Sequence, residues 1–184
     1  MHKILKFLQI LKKDKKPKTF QELKEYIIQG IFDCRIIRVY DGDTVWACIK
    51  LKDKYWKLQC RLVGIDTPEM PQSHSKAMTE ESQRAFKARD RVVNLVTNSK
   101  FEQKLSKDTS GNTLPSLSDN DLQKVVDQNT LVLKQGLQLL NGTDKYGRYL
   151  ARLKIPDGRD LGGTLIQEGL ALPFMEPTSS LAAR

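Results

Sequence analysis

The chemistry-bearing residues concentrate in Arg61-Leu62-Val63-Gly64-Ile65-Asp66-Thr67-Pro68-Glu69. An apolar run ends at once in Asp66, Thr67 and Glu69, with Arg61 at its front. Pro68 has a fixed φ and pushes Thr67 towards an extended conformation, so a strand should end here in a stiff elbow of oxygen donors. Asp43, just past Asp41-Gly42, is a third acid able to reach the same rim, because adjacent strands lie about 4.8 Å apart. Oxygen-only ligation implies a hard cation, Ca²⁺ or Mg²⁺. Asp at a turn and Asp before Thr-Pro are also ordinary turn chemistry. That plainer role is assigned to Asp41, and for Asp43 both readings stand. Arg61 and Arg148 supply the opposite charge. Planar guanidinium groups can pair through two hydrogen bonds each with the oxygens of a phosphodiester under attack.

These residues must be held by strands. Ile31 to Tyr40 is rich in strand formers, Asp41-Gly42 reads as a hairpin turn of positive φ, and Thr44 to Leu51 reads as the second strand. Asp53-Lys54 turns the chain into a third, Tyr55 to Ile65, which ends at the elbow. A helical pattern follows from about Ser75 to Val96, with Ala77, Ala85, Ala88, Val92 and Val96 on one face. Residues 99–129 read as an insertion, with an exposed loop over 108–115 and a short helix over 119–128 capped by Ser118. Thr130 to Leu140 is a strand candidate broken by Gly136. The turn-rich stretch 141–147 precedes a strand from Arg148 to Ile155, then a Pro156-Asp157-Gly158 turn. A closing helix, Leu161 to Gln167, ends at Gly169. Five strands with helices at the edges predict a mainly β, α+β domain built on a small closed barrel.

The 184 residues carry a net charge of +9, unevenly spread. Residues 1–24 hold eight Lys against Asp14 and Glu22, a net +6 that leaves +3 for the rest. This arm suits a polyanion, and a solvated Lys-rich tail explains it equally. Ile4, Phe7, Leu8 and Leu11 would line one face of a helix able to lie on a membrane, a partner or the domain itself. Phe20 to Gln29 reads as a further short helix. Lys6 interrupts the first apolar stretch, and lysines stand where small cleavage-site residues belong, so an intracellular location is expected. Three widely spaced cysteines without a C-x-x-C pair argue against zinc and for buried free thiols in a reducing compartment.

Three motifs in order, Asp41-Gly42-Asp43-Thr44, Arg61 through Glu69, and Asp144-Lys145-Tyr146-Gly147-Arg148, resemble the staphylococcal nuclease (thermonuclease) family. Leu165-Ile166-Gln167-Glu168-Gly169-Leu170-Ala171 resembles that family's closing helix. The resemblance runs over about Ile31 to Phe174. It implies an OB-fold barrel spanning 30–176, with 1–29 as a basic extension and 177–184 as a tail. It implies a Ca²⁺-dependent phosphodiesterase of DNA and RNA that leaves 3′-phosphate ends. Asp43 and Asp66 would hold calcium through carboxylates and Thr67 through its backbone carbonyl. Glu69 would position the attacking water, Arg61 and Arg148 would grip the phosphate, and Lys145 and Tyr146 would contact a terminal phosphate. The chain departs from the family where Met175 and Pro177, with Phe174 nearby, replace a base-stacking tyrosine pair. The family's last helix has no counterpart, and the insertion has none in the compact prototype. The same fold also serves as an inactive binding module, but such modules usually lack acidic ligands that this chain keeps.

If the arm holds nucleic acid, deleting residues 1–24 weakens binding to single-stranded DNA. The slope of log affinity against log salt then falls by about 0.7 for each phosphate that the arm had neutralised. An unchanged slope removes the arm from the interface.

Overall fold

Val45, Ala47 and Ile49 point to one side of a strand and are almost fully buried, while Trp46, Cys48 and Lys50 alternate on the other. This period of two is the signature of a sheet with one covered face. The computed structural model describes residues 27–71, 79–97, 99–100, 105–107, 113–115 and 118–175. The strands are β1 (Gly30–Val39), β2 (Thr44–Leu51), β3 (Lys54–Leu62), β4 (Ile65–Asp66), β5 (Leu105–Lys107), β6 (Thr113–Pro115), β7 (Val132–Thr143), β8 (Tyr149–Leu153) and β9 (Leu172–Pro173). The helices are α1 (Glu80–Val96), α2 (Asp119–Asn129) and α3 (Leu161–Gln167).

β1, β2, β3, β8 and β7 close into a five-stranded barrel in that order. The β3–β8 pair is parallel and the other pairs are antiparallel. This is the expected mainly β, OB-like architecture with flanking helices. The core gathers Ile36, Val45, Ile49, Leu137 and Leu153 from the strands, Val92 and Val96 from α1, and Leu161 and Leu165 from α3. Cys34 and Cys60 are buried, and burial pushes both thiols up to about 12. Cys48 departs from the expected burial: its parity turns it outward, where it is half-buried.

Several expectations are corrected in detail. The two-residue turn with positive φ lies at Lys52 (48°) and Asp53 (62°), not at Asp41-Gly42. The third strand stops at Leu62 rather than Ile65. After a turn at Val63-Gly64, Ile65 and Asp66 form a separate strand paired with Leu172 and Pro173. The long helix begins at Glu80, where the extended Thr79 accepts a hydrogen bond from the Ser82 N–H; the expected start at Ser75 lies outside the described residues. Gly136 does not end its strand: a bulge with Gln135 at φ 46° absorbs it, and β7 continues to Thr143. Part of the expected loop over 108–115 is strand, since Thr113–Pro115 pairs with Leu105–Lys107. Of the helix expected over Phe20 to Gln29, only Ile27 to Gln29 are described, and they are not helical. The amphipathic stretch of the arm and Ala77 lie outside the described residues. No described helix is long and apolar enough to cross a membrane.

Where the sequence reading matched the structure, local chemistry explains it. Ser118 caps α2 by accepting from the Asp121 N–H. α3 has the predicted bounds and ends in a Schellman motif, Gly169 N–H to Ile166 O (3.0 Å) and Leu170 N–H to Leu165 O (2.9 Å), with Gly169 at φ 69°. α1 is tied to its neighbours by ion pairs. Buried Arg89 reaches Asp119 at 3.1 Å, and Arg91 grips Glu168 with two bonds of 2.6 Å.

Gly42 has a different task from the one expected. A Cβ there would lie 2.6 Å from Thr67 Cγ2 and 3.0 Å from the Ala88 Cβ. Gly42→Ala should therefore destabilise the domain by about 1–3 kcal/mol through overpacking. A urea midpoint equal to that of the parent would show that the elbow and α1 do not press on this loop.

Candidate active site

Local hydrogen bonding shapes the first loop. Asp41 Oδ1 accepts from the N–H groups of Asp43 (3.0 Å) and Thr44 (2.6 Å), which curls the chain between β1 and β2. Tyr40 N–H bonds to Thr44 O at 3.0 Å and closes the loop. Asp43 is thereby turned inward. Burial pushes the Asp41 carboxyl above its ordinary value. The Thr44 hydrogen bonds and the charges of Arg61 and Arg148 pull the other way.

Asp43 is only 3% exposed and is the centre of the cluster. Its Oδ2 accepts from the Thr67 N–H (3.2 Å) and the Thr67 hydroxyl (3.0 Å). Its Oδ1 accepts from the Thr44 hydroxyl at 3.1 Å and is ion-paired with Arg61 Nη1. Arg61 Nη2 reaches Asp66 Oδ1 and Ile65 O, both at 3.3 Å. Arg148 Nη1 donates to Thr44 Oγ1 at 2.9 Å. The two guanidinium groups are thus linked through one hydroxyl and one carboxylate, though they stand 87 positions apart in the sequence.

Asp144 anchors the second arginine. Its Oδ2 takes Arg148 Nε at 2.6 Å, and its Oδ1 takes the N–H groups of Tyr146 (2.9 Å) and Arg148 (3.0 Å). Burial pushes its carboxyl up, but these bonds and the Arg148 charge outweigh that and hold it below the usual value. Lys145 and Tyr146 sit exposed on the same turn. Lys145 Nζ is 5.0 Å, and the Arg148 guanidinium carbon 5.4 Å, from the Tyr146 ring centre.

Glu69 is exposed and stands apart from this hydrogen-bonded cluster. With Asp66, Thr67 and Pro68 it lines a cleft of about 500 Å³, faced by Glu80, Glu81 and Arg84 of α1 and by residues 169–172. Phe174 is 45% and Met175 95% exposed beside β9, while Pro177 and His74 lie outside the described residues. The structure therefore brings Asp43, Asp66, Thr67, Arg61 and Arg148 together, and places Glu69, Lys145 and Tyr146 at the border. Sequence reasoning missed three contributors: Asp41 as a buried charge beside both arginines, Thr44 as their link, and Asp144 as the brace of Arg148. The Asx-turn spacing, a carboxylate two residues before an N–H it binds, was the available signal for Asp41 and Asp144.

The donor set suits a hard cation. Asp43 and Asp66 both turn a carboxylate oxygen to one positive group, the Arg61 guanidinium. Among the described residues no three His, Cys, Asp or Glu side chains cluster closely enough to hold a metal.

Together these elements give a closed OB-like barrel with carboxylates and arginines gathered at one rim. The family model of the staphylococcal nuclease homologues matches residues 120–181, about a third of the chain, which bears out the resemblance over the third motif and the closing helix and marks a nuclease-like or nucleic-acid-binding domain; the first two motifs lie outside the match. The matched segment holds Asp144, Lys145, Tyr146, Arg148 and α3, and the fold brings Asp43, Arg61 and Asp66 to it. Among curated proteins none matches the sequence.

The charge on Asp144 gives a pH signature. Its folded pKa lies below the ordinary value of 3.8, so its stabilisation is present above that value and is lost as pH falls through the folded pKa. Asp144→Asn keeps an acceptor for the turn but loses the charge. It should cost about 1–2 kcal/mol near pH 6, and the gap should close at a pH low enough to protonate Asp144 in the parent. Urea unfolding at the two pH values measures this; a gap that persists in acid would refute the charge as its source.

Proposed function

We propose that the protein is a calcium-dependent phosphodiesterase that hydrolyses DNA and RNA at the P–O5′ bond and leaves 3′-phosphate ends. The observation that carries this reading is the Arg148–Thr44–Asp43–Arg61 chain, which holds two guanidinium groups beside acidic oxygens at one barrel rim. A phosphate entering there exchanges carboxylate partners for its own oxygens on both arginines, where negative charge gathers as the phosphorus is attacked. Glu69, exposed on the cleft wall, accepts a proton from the attacking water, whose oxygen bonds to phosphorus. The 5′ oxygen leaves with the electrons of the broken P–O bond, its charge stabilised by Arg148, and takes a proton from solvent water to become a hydroxyl. Calcium, when held by Asp43, Asp66 and the Thr67 carbonyl, would neutralise phosphate charge and lower the pKa of nearby water. Thr67 spans the two halves, since its N–H and hydroxyl orient Asp43. Lys145 and Tyr146, exposed on the turn before Arg148, contact the terminal phosphate of a bound nucleotide.

Purified protein should cleave single-stranded DNA with calcium and stop in chelator. Glu69→Gln and Arg148→Lys should each lower kcat by about 10²-fold or more with an unchanged circular dichroism spectrum. Cleavage indifferent to chelator, or to loss of Arg61, would sink the reading. Tight binding without turnover at millimolar calcium would make the domain a binding module.

A further inference from the structure

The outer face of β1–β3 carries a second pattern. Strand register sets its side chains in ranks: Arg38–Trp46–Gln59, then Arg35–Cys48–Lys57, then Lys50–Tyr55. The next rank towards the rim is Thr44–Arg61, which Arg148 joins through the Thr44 hydroxyl. From Arg61 to Tyr55 is six residues, about 20 Å of strand. Arg35, Arg38, Lys50 and Lys57 are exposed, as are Lys52 and Lys54 at the turn below. Of the acids of this region, Asp33 is engaged by Lys134 at 2.9 Å from outside the track, while Asp53 pairs with the track's own Lys50 at 3.3 Å. Lys57 Nζ lies 4.7 Å from the half-buried Trp46 ring, and Tyr55 is 76% exposed.

Cations at regular intervals suit a polymer of regularly spaced phosphates, and interleaved aromatic rings suit bases, since every base has a face to stack. The turn at the far end, Lys52-Asp53, is polar, and the exposed aromatics beside it, Tyr55 and Trp56, stand between Lys54 and Lys57 rather than in an apolar run. We propose that this face is an accessory track for single-stranded nucleic acid, leading from the β2–β3 turn to the Arg61–Arg148 rim. The inference rests on the proposed nuclease reading only for what happens at the rim end.

The test uses the full chain in chelator, so that binding is read without cleavage. The two tryptophans of the chain are Trp46 and Trp56, so Trp56→Phe leaves Trp46 as sole reporter. Titration with oligothymidylate of about fifteen nucleotides should quench it. Arg38→Gln with Lys57→Gln should weaken binding about ten-fold or more and reduce the salt slope by about 1.4. Tyr55→Ala should weaken binding about five-fold or more at an unchanged slope, which separates stacking from charge. These variants should leave dinucleotide cleavage with calcium unaltered. An unquenched Trp46 with parental affinity in every variant overturns the track. So does quenching by phosphatidylserine vesicles and not by the oligonucleotide. Loss of cleavage with intact quenching would instead count against the nuclease reading and leave the track standing.

Discussion

One buried carboxylate organises this site. Asp43 is taken out of water, and an uncompensated charge there would cost several kcal/mol. It is satisfied by donors from three separate segments: Thr44 beside it, Arg61 on β3, and Thr67 after β4. Each donor is a requirement on the fold. β3 must run in register so that Arg61 stands opposite Thr44, and the chain beyond β4 must fold back over Gly42 so that Thr67 meets Asp43. The pairing of Ile65 and Asp66 with Leu172 and Pro173, next to the α3 Schellman turn, holds that elbow in place.

The same cluster holds two guanidinium groups together at one rim. Arg61 and Arg148 are compensated by Asp41, Asp43, Asp66 and Asp144, so neither guanidinium is left bare in a partly dry rim. The two flanking acids are driven in opposite directions, Asp41 upward by burial and Asp144 downward because its hydrogen bonds and the Arg148 charge outweigh burial. Asp144 holds Arg148 from the Nε side at 2.6 Å, while Nη1 faces the shared Thr44 hydroxyl. Both guanidinium groups are therefore already oriented, with less side-chain entropy left to lose when either takes a new partner.

Much of this architecture was readable from local pattern. β2 and α3 follow from the alternation around Val45–Ile49 and from the Gly169 stop. What escaped the pattern was non-local. Glycine at 42 looked like a turn residue and proved to be a close-packing residue, because Thr67 and Ala88 come from elsewhere in the chain. The run from Tyr55 to Ile65 looked like one strand, since nothing in Val63-Gly64 announces that Ile65 will find its partner at Pro173. Asp144 looked like turn chemistry, and its second oxygen proved to brace Arg148.

By itself the sequence determined which residues could do chemistry, the strand and helix periods that carry them, and the three motifs in their order. Those depend on residue type and near-neighbour spacing, which a linear reading contains. Only the tertiary structure decided that Asp43, rather than Asp66, is the buried centre, that both arginines meet through Thr44, and that Glu69 stands on the cleft wall. The reason is barrel closure: pairing β3 with β8 in parallel sets Arg61 against Leu150 and so brings Arg148 alongside, a distance in space with no counterpart along the chain.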